Sequence, residues 1–515
     1  MPRKPLTPNA CVLRWRGSVR ENQGLADERG ARAGGAHGRD LTQGPIGSTL
    51  LAFALPTLGS SVLQSLNGSI NAAWVGRFLG EDALAATANG NIIMFMLTAF
   101  VFGFGMASTI LIGQAFGRRD VDDARRVMGT AIGSFTLVAA LVAAIGWLLA
   151  PGILDMLGTP AGAHALALDY LRVIFVAMPA LLMLTMLMMA LRGSGDSMTP
   201  LWFMGLSVVL DSGLNPVFIL GLGPAPELGI GGSALATAVA NYVSLAAMLT
   251  YIYLRDLPLR LRGAELCYLW PDWARLAVIV RKGFPMGLQM IVITTSALAM
   301  LTLVNREGVH STAAYGVAQQ LWTYVQMPAM ALGAAVSTMA AQNIGAGKWD
   351  RVSKITRSGV IYSLLMTGAL IALLTLLDRP ALALFLGSDS EALPIARHIH
   401  LVATWGFLFF GVSLVLFGTV RANGQVLWPL IILFVSMYPV RLGIALGTYG
   451  WLGADALWLS FPIGMLATCA MAVALYAHGG WRTSRMAPSD APREQECVQQ
   501  AEATREPGGA LNPAG

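Results

Sequence analysis

Residues 114–117 are Gln-Ala-Phe-Gly, and residues 342–345 are Gln-Asn-Ile-Gly. To within one residue, the same spacing relates Arg-Gly-Ser-Gly at 192–195 to Arg-Ala-Asn-Gly at 421–424. A pattern that recurs once over most of a chain indicates two structural units with the same fold. In membrane proteins such a repeat is typical of transporters, which bind substrate between two halves.

Long apolar stretches fill both copies of this repeat. Hydrophobic residues make up 55% of the 515 residues and charged residues 12%, which is about half the charged share of soluble domains. A hydrocarbon core of about 30 Å requires about 20 apolar residues per helix. We predict an all-α integral membrane protein with twelve transmembrane helices in two six-helix repeats. The predicted spans are 48–70, 84–113, 127–150, 166–190, 200–222, 230–254, 284–304, 312–341, 356–377, 397–420, 427–447 and 453–476.

Lysine and arginine are distributed unevenly between the connections. The second, fourth, sixth, eighth and tenth connections carry sixteen of them, whereas the odd connections and the outer helix ends carry six. Because basic residues concentrate on the cytoplasmic side, this count predicts that both termini are cytoplasmic. Membrane topology also accounts for the net charge of +6, so we expect no nucleic-acid partner. The six residues on the outer side are Arg77, Arg172, Arg306, Arg379, Arg397 and Arg441.

The repeat sets the expected domain boundaries. We predict a disordered cytosolic tail over 1–42, an N-terminal lobe over 46–254, a cytoplasmic linker over 255–283, a C-terminal lobe over 284–476 and a second disordered cytosolic tail over 477–515. Both tails are polar and contain no long apolar stretch, so we expect the N-terminal one to be dispensable for transport.

The linker contains an amphipathic pattern. Trp273, Leu276 and Ile279 can share one helical face, which favours a short interfacial helix, with an ordinary basic loop as the alternative. The four cysteines have no paired spacing, and the sequence has no Walker motif, so we expect no disulfide framework, no metal and no cofactor.

Short motifs follow one another at defined spacings along the chain, most of them in the first copy and three in the second. They are Pro56, Gln64, Val75-Gly76-Arg77, Leu84-Ala85-Ala86, Gly113–Gly117, Leu191–Asp196 with Thr199-Pro200, Leu214-Asn215-Pro216, Gly229–Ala234, Gly283-Phe284-Pro285, Ala314-Tyr315-Gly316 and Ala341–Gly345.

This ordered set resembles the multidrug and toxic compound extrusion (MATE) transporters of the NorM and DinF type, over about residues 46–476. The resemblance implies an antiporter of the bacterial inner membrane, with two six-helix lobes around a central cavity. Its cargo would be amphipathic, often cationic small molecules, exchanged for protons or sodium. We expect it to act as a monomer.

The polar residues of the spans depart from the family pattern. Many members carry an Asp in the first helix where this chain has Asn71, and many have an Asn followed by an Asp in the fifth helix, where this chain has Asp211 followed by Asn215. An ionised Asp at the centre of a helix costs about 2.5–3.5 kcal/mol on insertion scales, which indicates a function. We therefore predict that Asp211 couples transport to an ion, with Asn215, Asn71 and Asn241 around it. A carboxyl hydrogen-bonded to backbone freed by Pro216 is the structural alternative.

The coupling ion is expected to be a proton rather than sodium. A single carboxyl can take up a proton, whereas sodium usually requires more anionic oxygen than the amides here supply. The repeat carries Asp211 to Val440, so we expect coupling in the N-terminal lobe alone.

Other polar residues within the spans are candidates for the substrate cavity. The face that carries Asn71 also carries Gln64 and Asn67, and the second half offers uncharged side chains. Interhelical hydrogen bonding is the alternative role for these amides. The predicted cavity residues are Gln64, Asn67, Gln289, Tyr315 and Gln319.

Two other functions compete with drug export. A lipid-linked oligosaccharide flippase would require a cationic cavity for pyrophosphate, and buried arginine is scarce in the predicted spans. An integral membrane lipid-modifying enzyme would require clustered His, Asp or Glu at a membrane surface, and the acidic cluster at 120–123 is interleaved with arginine.

Overall fold

The computed structural model describes residues 40–156, 161–221, 228–387, 390–484 and 486, without the side chains of 80–97, 156, 161–163 and 264. This part of the chain forms helices and no strand. Most of both predicted tails lies outside it. The helices are α1 (Ile46–Gly117), α2 (Val121–Met156), α3 (Ala161–Gly193), α4 (Met198–Leu220), α5 (Gly229–Leu254), α6 (Trp273–Val304), α7 (Val309–Gly345), α8 (Trp349–Leu376), α9 (Asp378–Leu386), α10 (Ala392–Ala403), α11 (Phe407–Ala422), α12 (Leu427–Val435), α13 (Arg441–Gly447), α14 (Tyr449–Leu452) and α15 (Asp455–His478).

Eleven stretches of the described residues are long and apolar enough to cross a membrane. Two of them, Ile46–Leu79 and Thr98–Gly117, belong to α1, which is one continuous helix where the sequence predicted two. The twelfth predicted span is α7, which is less apolar than the others. Because α7 packs against α1 and α11 and buries most of its second half, its polar side chains face protein rather than lipid.

Two predicted spans of the C-terminal lobe are interrupted. Span 397–420 consists of α10, a 3₁₀ turn at Thr404–Gly406, and α11. Span 427–447 consists of α12, a π-helical turn at Ser436–Val440 that contains Pro439, and α13. Proline has no backbone N–H and therefore cannot continue the regular helical ladder, which explains the second interruption.

The predicted interfacial helix of the linker is helical, as expected, but it is not a separate helix. Its residues form the first turns of α6, which Asp272 caps by accepting a hydrogen bond from the backbone N–H of Ala274 at 3.0 Å. Ahead of α6, a 3₁₀ helix at Gly263–Leu269 lies against α2, where Arg125 forms an ion pair with Glu265 at 2.7 Å. The linker is thus held on the N-terminal lobe.

Both predicted tails are shorter than the sequence indicated, because the residues nearest the helices pack against them. The α15 helix continues to His478, past the predicted boundary at 477, and Trp481 is buried against Tyr476. At the other end Leu41 is buried, and the N–H of Leu41 donates to Oε1 of Gln342 at 3.2 Å. In each case a large apolar side chain is buried between helix ends.

The two repeats meet at one end of the molecule, which we call the closed end, through Gln114, Gly117, Gln342 and Gly345. Nε2 of Gln114 donates to the carbonyl of Ala422 at 2.7 Å, and Nε2 of Gln342 donates to the carbonyl of Gly193 at 3.1 Å. These two bonds are related by the sequence repeat. A Cβ on either glycine would overlap the backbone carbonyl of the opposite glutamine, so the helices can approach this closely only with glycine at both positions.

Candidate functional site

Asp211 lies in the middle of α4 and is only 1% exposed. Three acids of the described residues are buried, namely Asp196, Asp211 and Asp378. Asp196 precedes α4, where it accepts from the N–H of Thr199, and Asp378 begins α9. Asp211 is therefore the buried acid that lies deep within a span, as predicted.

Four side chains donate hydrogen bonds to the carboxylate of Asp211. Its Oδ2 accepts from Nδ2 of Asn67 and from Nδ2 of Asn71, both at 2.8 Å. Its Oδ1 accepts from Nδ2 of Asn215 at 3.2 Å and from the hydroxyl of Thr237 at 3.0 Å. The network joins α1, α4 and α5 through one carboxyl group, because both of its oxygens are used.

The sequence correctly grouped Asn71 and Asn215 with Asp211, but not Asn241. Nδ2 of Asn241 donates to the backbone carbonyl of Thr237, one turn earlier on α5, at 2.9 Å. Asn241 thus contacts the residue that contacts Asp211. Thr237, which the sequence analysis missed, makes the direct bond. A hydroxyl at this position was detectable only as one more polar residue in an alanine-rich helix.

A cavity of about 510 Å³ lies between the lobes, lined by residues of α1, α6, α7, α11 and α12. Gln64 and Gln289, two of the five predicted cavity residues, lie on its wall. Asn67 instead belongs to the Asp211 network. Ser61, Ser65, Thr294, Thr323 and Gln326 add further polar groups.

The other two predicted cavity residues, Tyr315 and Gln319, are not on this wall. Tyr315 is 1% exposed and packs inside the C-terminal lobe against Trp458, with ring centroids 6.1 Å apart. Gln319 lies one turn before Thr323 on α7 and is not among the residues that line the cavity. The polar stripe of α7 therefore extends beyond the cavity.

Methionine forms much of the apolar cavity wall. Met286 and Met290 come from α6, and Met327 and Met330 come from α7. These side chains can repack around different ligands. Methionines of α3 have a different role, since Met178 and Met186 are buried in the N-terminal core.

Arg421 also lines the cavity, which the sequence analysis did not predict. Its Nη2 donates to Oε1 of Gln289, and its guanidinium carbon lies 5.7 Å from the ring centroid of Phe417. Its Nε is buried without a partner. The argument that buried arginine is scarce is therefore wrong, because Arg421 lies inside the protein rather than in a solvated connection.

A second buried arginine, Arg441, occupies the repeat position of Asp211. The shift that carries Pro200 to Pro429 carries Asp211 to Val440, but the π-helical turn at Ser436–Val440 adds one residue. Beyond that turn Asp211 corresponds to Arg441, and both are buried.

Arg441 was counted at an outer helix end, yet it is 6% exposed. Its guanidinium carbon lies 3.7 Å from the ring centroid of Phe461. This short distance brings the cation against an aromatic face in the C-terminal core, where cation–π attraction offsets part of its desolvation.

Comparison with known proteins gives consistent matches over both lobes. The MatE family profile matches residues 56–217 and 285–446. The chain is 36% identical over 426 residues to the Probable multidrug resistance protein YoeA of Bacillus subtilis (strain 168), covering 82% of this chain and 92% of that protein. It is 30% identical over 448 residues to the Probable multidrug resistance protein YpnP of the same organism, covering 87% and 98%.

A solved structure has the same fold. It is described as the outward-facing conformation of a multidrug resistance MATE family transporter of the MOP superfamily, and it superposes with a TM-score of 0.78 at 18% identity, covering 86% of this chain and 98% of that chain. This likeness confirms the all-α membrane architecture with twelve transmembrane helices. The similar proteins are transporters rather than enzymes.

Proposed function

This chain belongs to the MatE family of multidrug efflux transporters, and we propose that it is a secondary antiporter that exports amphipathic drug-like compounds in exchange for protons. In this proposal the cargo binds in the cavity between the lobes, and Asp211 carries the proton. Each copy contains both lobes and a complete cavity, which supports action as a monomer.

The Asp211 network is the observation that carries this proposal. Proton uptake would neutralise the carboxylate and convert one of its oxygens from acceptor to donor. Oδ2 accepts hydrogen bonds from both Asn67 and Asn71, which belong to α1. Protonation of Oδ2 would therefore leave these two amide groups without their acceptor. The proton would thereby change the contact between α1, which lines the cavity at Gln64, and α4. This link gives a physical route from ion binding to cavity shape.

The orientation of the amides supports a proton over sodium. Asn67, Asn71 and Asn215 face the carboxylate with their Nδ2 groups. Sodium would be coordinated by oxygen, so these amides would need to turn around. A proton needs no set of oxygen ligands, and the loss of the Asn67 and Asn71 bonds on protonation is itself the change that would link the ion to the cavity.

The distribution of basic residues supports an orientation with both termini and the closed end in the cytoplasm. The cavity then opens toward the outside while the closed end is formed. Proton entry from outside would be driven by the membrane potential, at about 2.3 kcal/mol per charge per 100 mV.

The test is dye efflux from proteoliposomes under separately imposed pH and sodium gradients, for the unmodified chain and Asp211→Asn. We expect efflux to follow the pH gradient and to be lost in Asp211→Asn. Asp196→Asn is the matched control, because it also replaces a buried carboxyl by an amide but lies outside the network. Efflux by Asp211→Asn at the parental rate would disprove the role of Asp211, and efflux that follows sodium alone would disprove the choice of ion.

A further inference from the structure

The cavity wall carries a positive charge without an acidic neighbour. Arg421 contributes its guanidinium to this wall, and the residues that line the cavity include no Asp or Glu. Among the described residues, Arg421 donates a hydrogen bond to Gln289, while its Nε is buried without a partner. An arginine in such a site retains its charge, and a charge removed from water is costly unless an anion pairs with it.

The guanidinium is held in a defined orientation. Nε2 of Gln289 donates to the carbonyl of Val426 at 3.1 Å, which turns Oε1 of the same amide toward Arg421. Phe417 lies beside the guanidinium on α11. One amide oxygen and one aromatic ring use only part of its hydrogen-bonding capacity, since a guanidinium has five N–H donors arranged as a planar fork.

Comparison of the two repeats shows that only one of two equivalent arginines contributes its charge to the cavity. Arg192 is the counterpart of Arg421 in the N-terminal lobe, and its Nε is likewise buried without a partner. Arg192 is not among the residues that line the cavity. Both lobes therefore contain an arginine with a buried Nε at the end of the equivalent helix, but only the C-terminal one lines the cavity.

We propose that Arg421 and Gln289 form an oxyanion subsite, and that the cargo of this transporter is amphipathic with a carboxylate or similar oxyanion. The oxyanion accepts hydrogen bonds from the guanidinium, whose planar fork matches carboxylate geometry. The methionines and Phe102 surround its apolar body. This inference rests on the proposed efflux function and replaces the expectation of a cationic cargo, which came from the family resemblance alone.

The test compares two dyes that differ at one group. Rhodamine B has a free carboxylate, and in its ethyl ester that carboxylate is blocked. Binding is measured by fluorescence anisotropy on the purified full chain, and efflux is measured in proteoliposomes. We expect the unmodified chain to bind rhodamine B roughly tenfold or more tightly than the ester, as the loss of a hydrogen bond to a charged group predicts.

Variants assign this preference to Arg421. Arg421→Gln should bind both dyes equally, and Arg421→Lys should retain part of the preference because it keeps the charge but not the fork. Arg192→Gln is the control for neutralising a buried arginine, and it should keep the full preference. Equal binding of both dyes by the unmodified chain, or an unchanged preference in a folded Arg421→Gln, would overturn the subsite. Absence of gradient-driven efflux for any dye, with the binding preference intact, would instead refute the antiport function.

The oxyanion could belong to a drug-like molecule or to a lipid headgroup. Competition by farnesyl diphosphate, with farnesol as its uncharged control, distinguishes these sources. Displacement of rhodamine B by farnesyl diphosphate only at a large excess supports a drug-like carboxylate. Displacement by farnesyl diphosphate at a concentration far below the one at which rhodamine B itself binds would overturn that assignment. The cargo would then be a lipid diphosphate, which is the chemistry of the flippase alternative.

Discussion

Replacement of Gly345 by alanine should open the closed end of the molecule. A Cβ at this position would lie 2.8 Å from the carbonyl carbon of Gln114, whereas carbon atoms in contact are separated by about 3.5–4.0 Å. The obstacle is backbone rather than a flexible side chain, so the lobe that contains α1 and α3 must separate by roughly 1 Å from the lobe that contains α7 and α11.

That separation is sufficient to break the two crossed glutamine bonds. The bond from Gln114 to Ala422 is 2.7 Å long and that from Gln342 to Gly193 is 3.1 Å long, and both would exceed the usual limit of about 3.2 Å. Each bond contributes about 1 kcal/mol. Their combined loss of about 2 kcal/mol shifts the equilibrium away from closure by roughly 30-fold.

The measurement is a distance distribution between spin labels at Arg119 and Asp350, which lie on the two sides of the closed end and are exposed. We expect Gly345→Ala to convert a short-distance population into a longer one. Gly316→Ala, on the same helix, is the control, because an added Cβ there meets no atom within 4 Å. A distribution unchanged in Gly345→Ala would show that the glycine contact does not determine closure.

Three further outcomes follow from the structure. Thr237→Val removes one of the four donors to Asp211 and should reduce proton-driven efflux several-fold in proteoliposomes without reducing expression; an unchanged rate would contradict the network. Deletion of 1–39 should leave efflux intact, whereas deletion of 1–44 also removes the buried segment at Leu41 and should slow it in the same assay. Partial burial alone would raise the pKa of Asp272, but hydrogen bonds and charge from Arg275 lower it below the ordinary 3.8. Its cap on α6 is therefore intact above 3.8 and is lost as pH falls through the lowered pKa. Proteolysis of the linker should increase only in strong acid, and in Arg275→Gln the increase should begin at a higher pH.

The spans and the Asp211 network were predictable because their signals are local. About 20 apolar residues between polar connections mark a helix, and a carboxyl among valines and leucines is conspicuous. Spacing of four residues also put Asn67 and Asn71 on one face. Asn71 and Asn215 could therefore be named as partners of Asp211 from the sequence, whereas Asn67 was assigned to the cavity although it also bonds to Asp211.

The charges of the C-terminal lobe were not predictable by the same means. Arg421 stands next to Ala422, Asn423 and Gly424, a composition that indicates a solvated turn, and only the fold shows its side chain entering the cavity. Arg441 was missed because a π-helical turn adds one residue without any change in composition. A linear shift between repeats cannot detect an insertion that the helix itself absorbs.

The opposite charges of the two lobes have an electrical consequence for exchange. Exchange of one inward proton for one outward cation moves no net charge across the membrane. If the cargo carries a carboxylate that cancels its cationic group, the same exchange moves one positive charge inward. A potential that is negative inside then contributes about 2.3 kcal/mol per 100 mV to export, in addition to the pH gradient. The membrane potential as well as the pH gradient would therefore drive export, because Asp211 takes up the proton and Arg421 binds the anionic group of the cargo.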